Sequence, residues 1–194
     1  FLARVNGLLY IISSVDEADL TERAVKKLIM NSLVFLVFFL FFLITLLVSP
    51  GFAYNPGPAS VSLEKFKYLH NLTGMPVVLV IFLAGVALVL YGMGIAIFKG
   101  SRKGIWYSGA GTVLAVLALF LTAGFHDTAF YPSTFDLNSS LTIQKASSSK
   151  FTLKTMMFVS FIIPVVFGYI WYAWKSINNT RISGEEIKGE GHVY

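Results

Sequence analysis

The sequence has no cysteine, three histidines and ten acidic residues, and charged residues fill only 13% of its 194 positions, about half the share of an average soluble domain. Each shortage removes a class of function. Without cysteine there is no disulfide framework, no thiolate metal site and no thiol nucleophile. P-loop, GxGxxG, HExxH and Ser-His-Asp spacings are absent as well, so no enzyme motif marks a phosphate cradle, a dinucleotide turn, a zinc site or an acyl-transfer triad. The net charge of +5 invites a nucleic-acid reading. The fifteen basic residues, however, sit almost entirely at the edges of apolar runs, which is the pattern of membrane topology, so no nucleic-acid partner is expected.

What is present is hydrocarbon. Apolar residues make up 56% of the chain and the mean hydropathy is +0.72. A bilayer core about 30 Å thick needs about 20 apolar residues of helix, and four runs meet that need, at residues 28–48, 76–98, 105–124 and 153–174. Residues 1–12 are apolar and helix-compatible but too short to span. Because the first residue is Phe1 rather than Met, they read as the end of a span that begins upstream. The fold class is therefore all-α, an integral membrane bundle of four complete transmembrane helices plus the end of a truncated fifth, forming one transmembrane domain over residues 1–194.

The opening stretch lacks the basic segment and the small-residue cleavage site of a signal peptide. Ser14 with Glu17 fits a capping box, and Asp19 to Arg23 and Glu22 to Lys26 are acid-before-base pairs four residues apart. A short surface helix should run from there into the first full span. Arg23, Lys26, Lys27, Lys99, Arg102, Lys103, Lys175, Arg181 and Lys188 fall on one side of the spans, whereas Lys65, Lys67, Lys145, Lys150 and Lys154 fall on the other. The richer side is expected to be cytoplasmic, which puts the C-terminus inside. Trp106, Tyr107, Tyr169, Trp171, Tyr172 and Trp174 cluster at the same ends, as amphipathic rings do at headgroup level. The opposite loops, 49–75 and 125–152, are too long for simple turns, and loops of that length are usually functional or covered by a partner.

Between their ends the four spans hold no Asp, Glu, Lys, Arg or His, so this segment alone is not expected to conduct protons or ions. Haem needs an axial His, Met, Cys or Tyr. His70, His126 and His192 all lie in loops or the tail, and Met93, Met156 and Met157 read as gap fillers between helices. No cofactor is expected on this chain. Arg4 is the ionisable exception, with Asn6 beside it. If the first helix ends near Ser13, Arg4 lies about 13 Å inside at about 1.5 Å per residue, where an unpaired charge costs about 2.5 kcal/mol or more. It should face protein or water, covered by a further helix or partner, or else contact a polar ligand.

Other features have a packing reading beside a chemical one. Gly92 with Ala96 and Ser108 with Thr112 would let the second and third full spans approach closely. Pro164, with Gly168 one turn later, favours a kink in the last span. His126 and Asp127, after Gly124, are either a solvated helix end or a pair that shuttles protons or binds a headgroup. The sequons Asn71-Leu72-Thr73 and Asn138-Ser139-Ser140 would face outward, and are meaningful only where glycosylation machinery exists.

One stretch carries a family likeness. It runs from Gly124 through Tyr131-Pro132-Ser133-Thr134, Asn138-Ser139-Ser140-Leu141-Thr142-Ile143, Ala146-Ser147-Ser148-Ser149 and Thr152-Leu153 to Pro164. In order and spacing this resembles the C-terminal region of subunit II of cytochrome bd quinol oxidases. Gly7-Leu8-Leu9-Tyr10, Glu22-Arg23-Ala24, and the tail residues Ile182, Glu185-Glu186-Ile187, His192 and Tyr194 resemble it too. The likeness covers nearly all of this chain but about half of a family member, and Phe125-His126-Asp127-Thr128 departs from a pattern that is apolar there. It implies a haem-free subunit of a prokaryotic cell-membrane oxidase. The partner would be a haem-bearing subunit I with b-type and d-type haems, which oxidises quinol from the quinone pool and reduces oxygen to water, in contact with membrane lipid. The hydroxyl and amide groups of the second loop would then satisfy irregular backbone at the membrane surface or against that partner. Asn138, Ser139, Thr142 and Ser148 are the loop and interface candidates, with Arg4 from the first helix. The alternative from another class is a transporter or channel subunit, which should show broken helices or polar residues at midplane depth.

Overall fold

A computed structural model describes residues 1–58 and 60–177. Helix α1 (Leu2–Ser14) is followed by α2 (Ala18–Val48), a hairpin of β1 (Gly51–Asn55) and β2 (Ser60–Glu64), α3 (Lys67–Gly74), α4 (Pro76–Lys99) and α5 (Gly104–Gly124). A 3-10 turn at Leu137–Ser139 then leads through α6 (Ile143–Ala146) to α7 (Lys150–Ser160) and α8 (Ile163–Ile177). Among the described residues, α2, α4, α5 and the α7–α8 rod are long and apolar enough to cross a membrane. The all-α membrane bundle read from the sequence is what the chain forms, with one small hairpin added. Arg181, Lys188 and the tail positions of the family likeness lie outside the described residues.

The surface helix and the first span are one continuous rod, α2. Its first turns carry both anticipated ion pairs, Arg23–Asp19 at 2.8 Å and Lys26–Glu22 at 2.7 Å. The capping box does not form: Ser14 closes α1, and α2 begins after Glu17 without a side-chain cap. Residues 15–17 are instead used to reverse the chain between two helices, and the Arg102 guanidinium from the α4–α5 turn donates to Asp16 there at 2.5 Å. Val5, Leu9 and Ile12 of α1 recur on one face and bury against Ala24 and Leu28 of α2 and Val89, Met93 and Ala96 of α4.

Helices α4 and α5 form the tightest pair because small residues line their seam. A Cβ placed on Gly85 would sit 2.5 Å from the Ala115 backbone nitrogen, and one on Gly92 would sit 2.6 Å from the Gly104 carbonyl oxygen. Only glycine permits that approach. The sequence reading found Gly92, Ala96 and Ser108 but missed Gly85, Gly104 and Gly111. Gly100 ends α4 in the left-handed conformation, with φ +59°, and the Ser101 N–H reaches back to the Ile95 carbonyl at 3.0 Å. This is a Schellman closure that turns the chain into α5.

The last rod behaves differently. Pro164 has no N–H to donate to Ser160, and the helix breaks at residues 161–162, where the Phe161 and Ile162 N–H groups fall back on Phe158 and Val159 carbonyls at 3.1 and 2.9 Å. The anticipated kink is a full interruption. No residue of α7 or α8 is buried, although the Trp174 ring meets Tyr10 of α1 edge-on at 6.4 Å.

Candidate functional site

The candidate residues sit mainly where the two long loops meet, at the end of the bundle away from the α4–α5 turn. The β1–β2 register runs from Gly51 opposite Glu64 to Asn55 opposite Ser60. Residues 55–58, Asn-Pro-Gly-Pro, supply the reversal. The sequence reading took residues 49–75 only as a long loop; this reversal, together with the apolar side chains at Phe52 and Tyr54 and at Val61 and Leu63, is the signal that could have found the hairpin. The second loop adds itself to this hairpin. The Tyr54 N–H donates to the Asp127 carbonyl at 2.7 Å, and the Ala129 N–H to the Phe52 carbonyl at 2.8 Å.

Asn138 ties the loops a second time. Its Oδ1 accepts from the Val61 N–H at 3.0 Å, its N–H donates to Asp136 Oδ1 at 3.2 Å, and its carbonyl accepts from the Lys145 ammonium at 2.6 Å. Ser139 is exposed and donates its N–H to the Asp136 carbonyl at 3.0 Å. Thr142 is 1% exposed; its hydroxyl accepts from the Lys145 N–H at 3.3 Å and caps α6. Ser140, which sequence reasoning did not single out, is equally enclosed, and its hydroxyl accepts from the Ser133 N–H at 3.0 Å. Ser148 is not brought into this cluster. It is exposed, and the neighbouring Ser149 caps α7 by accepting from the Thr152 N–H at 3.3 Å. Arg4 lies apart from all of these, on α1.

The centre of the loop assembly is a residue read from the sequence only as a sequon. Asn71 of α3 is fully buried, and its Nδ2 donates to the Thr122 carbonyl at 2.8 Å, Thr128 Oγ1 at 2.7 Å and the Phe125 carbonyl at 3.4 Å. It thereby joins α3, the last turn of α5 and the start of the second loop. An amide enclosed in this way is no glycosylation acceptor in the folded chain, so the expected outward-facing sequon is corrected here. The signal that could have found it is the Leu69 to Leu72 spacing within a short helix that bears one amide on its inner face.

His126 and Asp127 both adopt left-handed backbone, with φ 58° and 51°, a conformation that costs non-glycine residues about 1–2 kcal/mol each. The strain turns the chain sharply out of α5 so that Thr128 can pair with Ala53. Gly74 leaves room for the His126 ring: a Cβ there would lie 3.0 Å from its Nε2. A shallow cavity of about 250 Å³ opens beside them, lined by residues 124–128 and Ile143.

A charged group closes the hairpin. His70 Nδ1 lies 2.8 Å from Glu64 Oε1, and the enclosed Lys67 ammonium lies 3.7 Å from Oε2. The hydrogen bond from His70 holds the Glu64 carboxyl below the usual carboxylate range; partial desolvation opposes this and the Lys67 charge assists it. Chemically the whole assembly satisfies irregular backbone and clamps two loops together. Among the described residues no group of three or more His, Asp or Glu is placed to hold a metal ion.

The comparisons agree with this picture. The family described as cytochrome bd terminal oxidase subunit II matches residues 1–177. Cytochrome bd-I ubiquinol oxidase subunit 2 of Escherichia coli strain K12 is 31% identical over 143 residues, covering 72% of this chain and 36% of that protein. The proteins of the same name from strains O6:H1 and O157:H7 match to the same extent. The chain thus spans about a third of the length of these relatives. With four helices long and apolar enough to cross a membrane among the described residues and a family match over residues 1–177, this multi-pass membrane chain belongs to the cytochrome bd terminal oxidase subunit II family.

Proposed function

We propose that this chain is the haem-free, supporting part of a bd-type terminal oxidase. It holds a haem-bearing subunit I, which oxidises quinol from the quinone pool and reduces oxygen to water with its b-type and d-type haems. The observation that carries this reading is that the two described histidines and Met93 are already engaged, whereas Met156 and Met157, expected to fill gaps between helices, are exposed on α7. Met93 fills the core between α1, α2 and α4, His70 is paired with Glu64, and His126 packs against Gly74. These residues do not fit a haem, and the catalytic work is assigned to the partner. Asn138, Ser139, Thr142 and Ser148 are proposed to shape the loop surface that meets subunit I, with lipid around the spans. The distribution of basic residues along the sequence supports a reading in which the loop end faces outward from a prokaryotic cell membrane and the C-terminus lies in the cytoplasm.

The test is copurification. Full-length tagged protein drawn from its own membranes should bring a larger subunit whose spectrum shows a d-type haem band. A haem-free preparation that supports solute flux would instead favour a transporter subunit. Among the described residues, the break at residues 161–162 is a feature that suits such a protein. Its flanks, Phe158, Val159, Phe161 and Ile162, are apolar, and the nearby Ser160 hydroxyl donates to the Met156 carbonyl of its own helix at 2.8 Å.

A further inference from the structure

The hairpin returns to the membrane where the first span leaves it. The apolar run 28–48 is about the length a bilayer core requires, so Val48 marks the boundary between hydrocarbon and headgroups. The β1–β2 register sets Glu64 opposite Gly51, just beyond Val48, and so brings the end of β2 back to that boundary. An open cavity of about 430 Å³ lies there, lined by Val48, Pro50, Leu63, Lys65 and Phe66. Most of its wall is apolar. Leu63 and Val61 share one face of β2, yet Val61 is 6% exposed and Leu63 57%, so that face is covered by protein at one end and open at the other. Phe66 holds a φ of 57°, an outlier for a bulky residue, and the turn it makes sets its half-exposed ring on the same cavity. Lys65 supplies the charge. The neighbouring Glu64 carboxylate is engaged by His70 at 2.8 Å and by Lys67 at 3.7 Å, whereas Lys65 is exposed and among the described residues makes no hydrogen bond or ion pair.

We infer that this cavity binds one anionic phospholipid, with its phosphate on the Lys65 ammonium and the glycerol ends of its acyl chains against Val48, Pro50, Leu63 and Phe66. Two requirements met together specify the occupant. The wall at the edge of the hydrocarbon asks for an apolar body, and the ammonium beside it, at headgroup level, asks for a negative charge. A phospholipid carries both in one molecule and surrounds every span at that level. A neutral amphiphile has the body without the charge, and a free phosphate has the charge without the body. The headgroup is anionic because the ammonium of a zwitterionic lipid would offset the attraction of its phosphate to Lys65. This goes beyond the oxidase reading and depends only on the chain spanning a membrane.

The test uses the full-length subunit in its native assembly, reconstituted into phosphatidylcholine nanodiscs that hold a trace of a photoreactive lipid. That lipid is phosphatidylglycerol, or in a parallel sample phosphatidylcholine, with a diazirine on the acyl chain near the glycerol. Adducts are mapped by mass spectrometry after illumination. Phosphatidylglycerol should label Leu63 and Phe66 about fivefold more than the phosphatidylcholine probe does, which is what one lysine contributes at an anionic headgroup. Lys65→Glu should remove that preference, and Lys65→Arg should keep it. Leu63→Trp, which fills the cavity and leaves the charge in place, should lower labelling by both lipids. Val77, 70% exposed at the start of α4, is the internal reference, and its labelling should stay the same in every variant. Equal labelling by the two lipids, a preference that survives Lys65→Glu, or adducts at Val77 with none at Leu63 or Phe66 would overturn the inference. So would capture of a protein segment by p-benzoylphenylalanine in place of Phe66. Copurification of haem scores the oxidase reading separately, so the two can fail independently.

Discussion

Helix α5 has a mean hydropathy of 1.7 and the α7–α8 rod 1.9, yet 28% of the most apolar stretch of α5 is buried and none of the rod is. Apolarity therefore does not decide which helices meet. In hydrocarbon there is no solvent force driving two greasy surfaces together, and association follows backbone approach and interhelical hydrogen bonds. Helix α5 has both, with Gly104 and Gly111 at its seam and Ser108 and Thr112 facing Asn6. The rod offers Phe161, Phe167, Tyr169, Trp171 and Tyr172 to its surroundings, and a Cβ on its one glycine, Gly168, would touch nothing within 4 Å. One helix carries its own packing instructions, whereas the other lies open to its surroundings along its length.

The most severe way to break this contrast is to place the same bulk on each side of it. Gly85→Leu drives a side chain into the Ala115 backbone and should cost about 3 kcal/mol or more, at or beyond the upper end for overpacking. It should appear as loss of folded subunit in detergent unfolding. Gly168→Leu should leave the chain's own unfolding transition in place, and an equal loss there would mean that α8 packs within the chain as tightly as α4. Next in size is Asn71→Ala, which removes the two short bonds its amide donates, to the Thr122 carbonyl and Thr128 Oγ1, and leaves the Thr122 carbonyl without a partner. About 2 kcal/mol is expected, with proteolysis of the second loop accelerating before the helices unfold.

The contrast also shows what could be read from residues alone. The span count followed from run length, because few structures other than a helix can satisfy 20 residues of backbone in hydrocarbon. The break near Pro164 followed from the missing N–H. The Gly85–Gly111 contact was not legible, because nothing in a single apolar run says which small residues face a neighbouring helix. Asn71 was hidden for a related reason: its partners are backbone carbonyls 51 and 54 residues away, groups that every sequence has and none advertises. Ser148 lies apart from the loop cluster for the opposite reason, since a run of three serines looks equivalent in sequence and only Ser149 falls at the start of α7.

A milder perturbation sharpens the role of the loop cluster. Asn138→Leu combined with Ser139→Leu removes the acceptor for the Val61 N–H while sparing Asn71. The local cost is about 1 kcal/mol, and the yield of assembled complex should fall more than turnover per haem. Normal yield with lost turnover would move this loop from assembly to chemistry.

The smallest effect expected is a pH dependence, and its sign is fixed by Glu64. Its carboxyl is held below the ordinary range, chiefly by the His70 hydrogen bond, so the folded state binds this proton less readily than the unfolded chain does. The stabilisation is therefore complete above the ordinary Glu value of about 4.3, and is lost as the pH falls below that toward the depressed value. Because the Glu64 side chain is 39% exposed, solvent screening keeps the effect under about 1 kcal/mol. Unfolding of the hairpin region, followed by hydrogen exchange between pH 6 and pH 3.5, should show protection of the Phe52 and Tyr54 amides declining on the acid side. In Glu64→Gln that slope should disappear, because the neutral amide has no proton to gain. An unchanged slope in the variant would mean that the Glu64–His70 pair does not set the acid sensitivity of the hairpin.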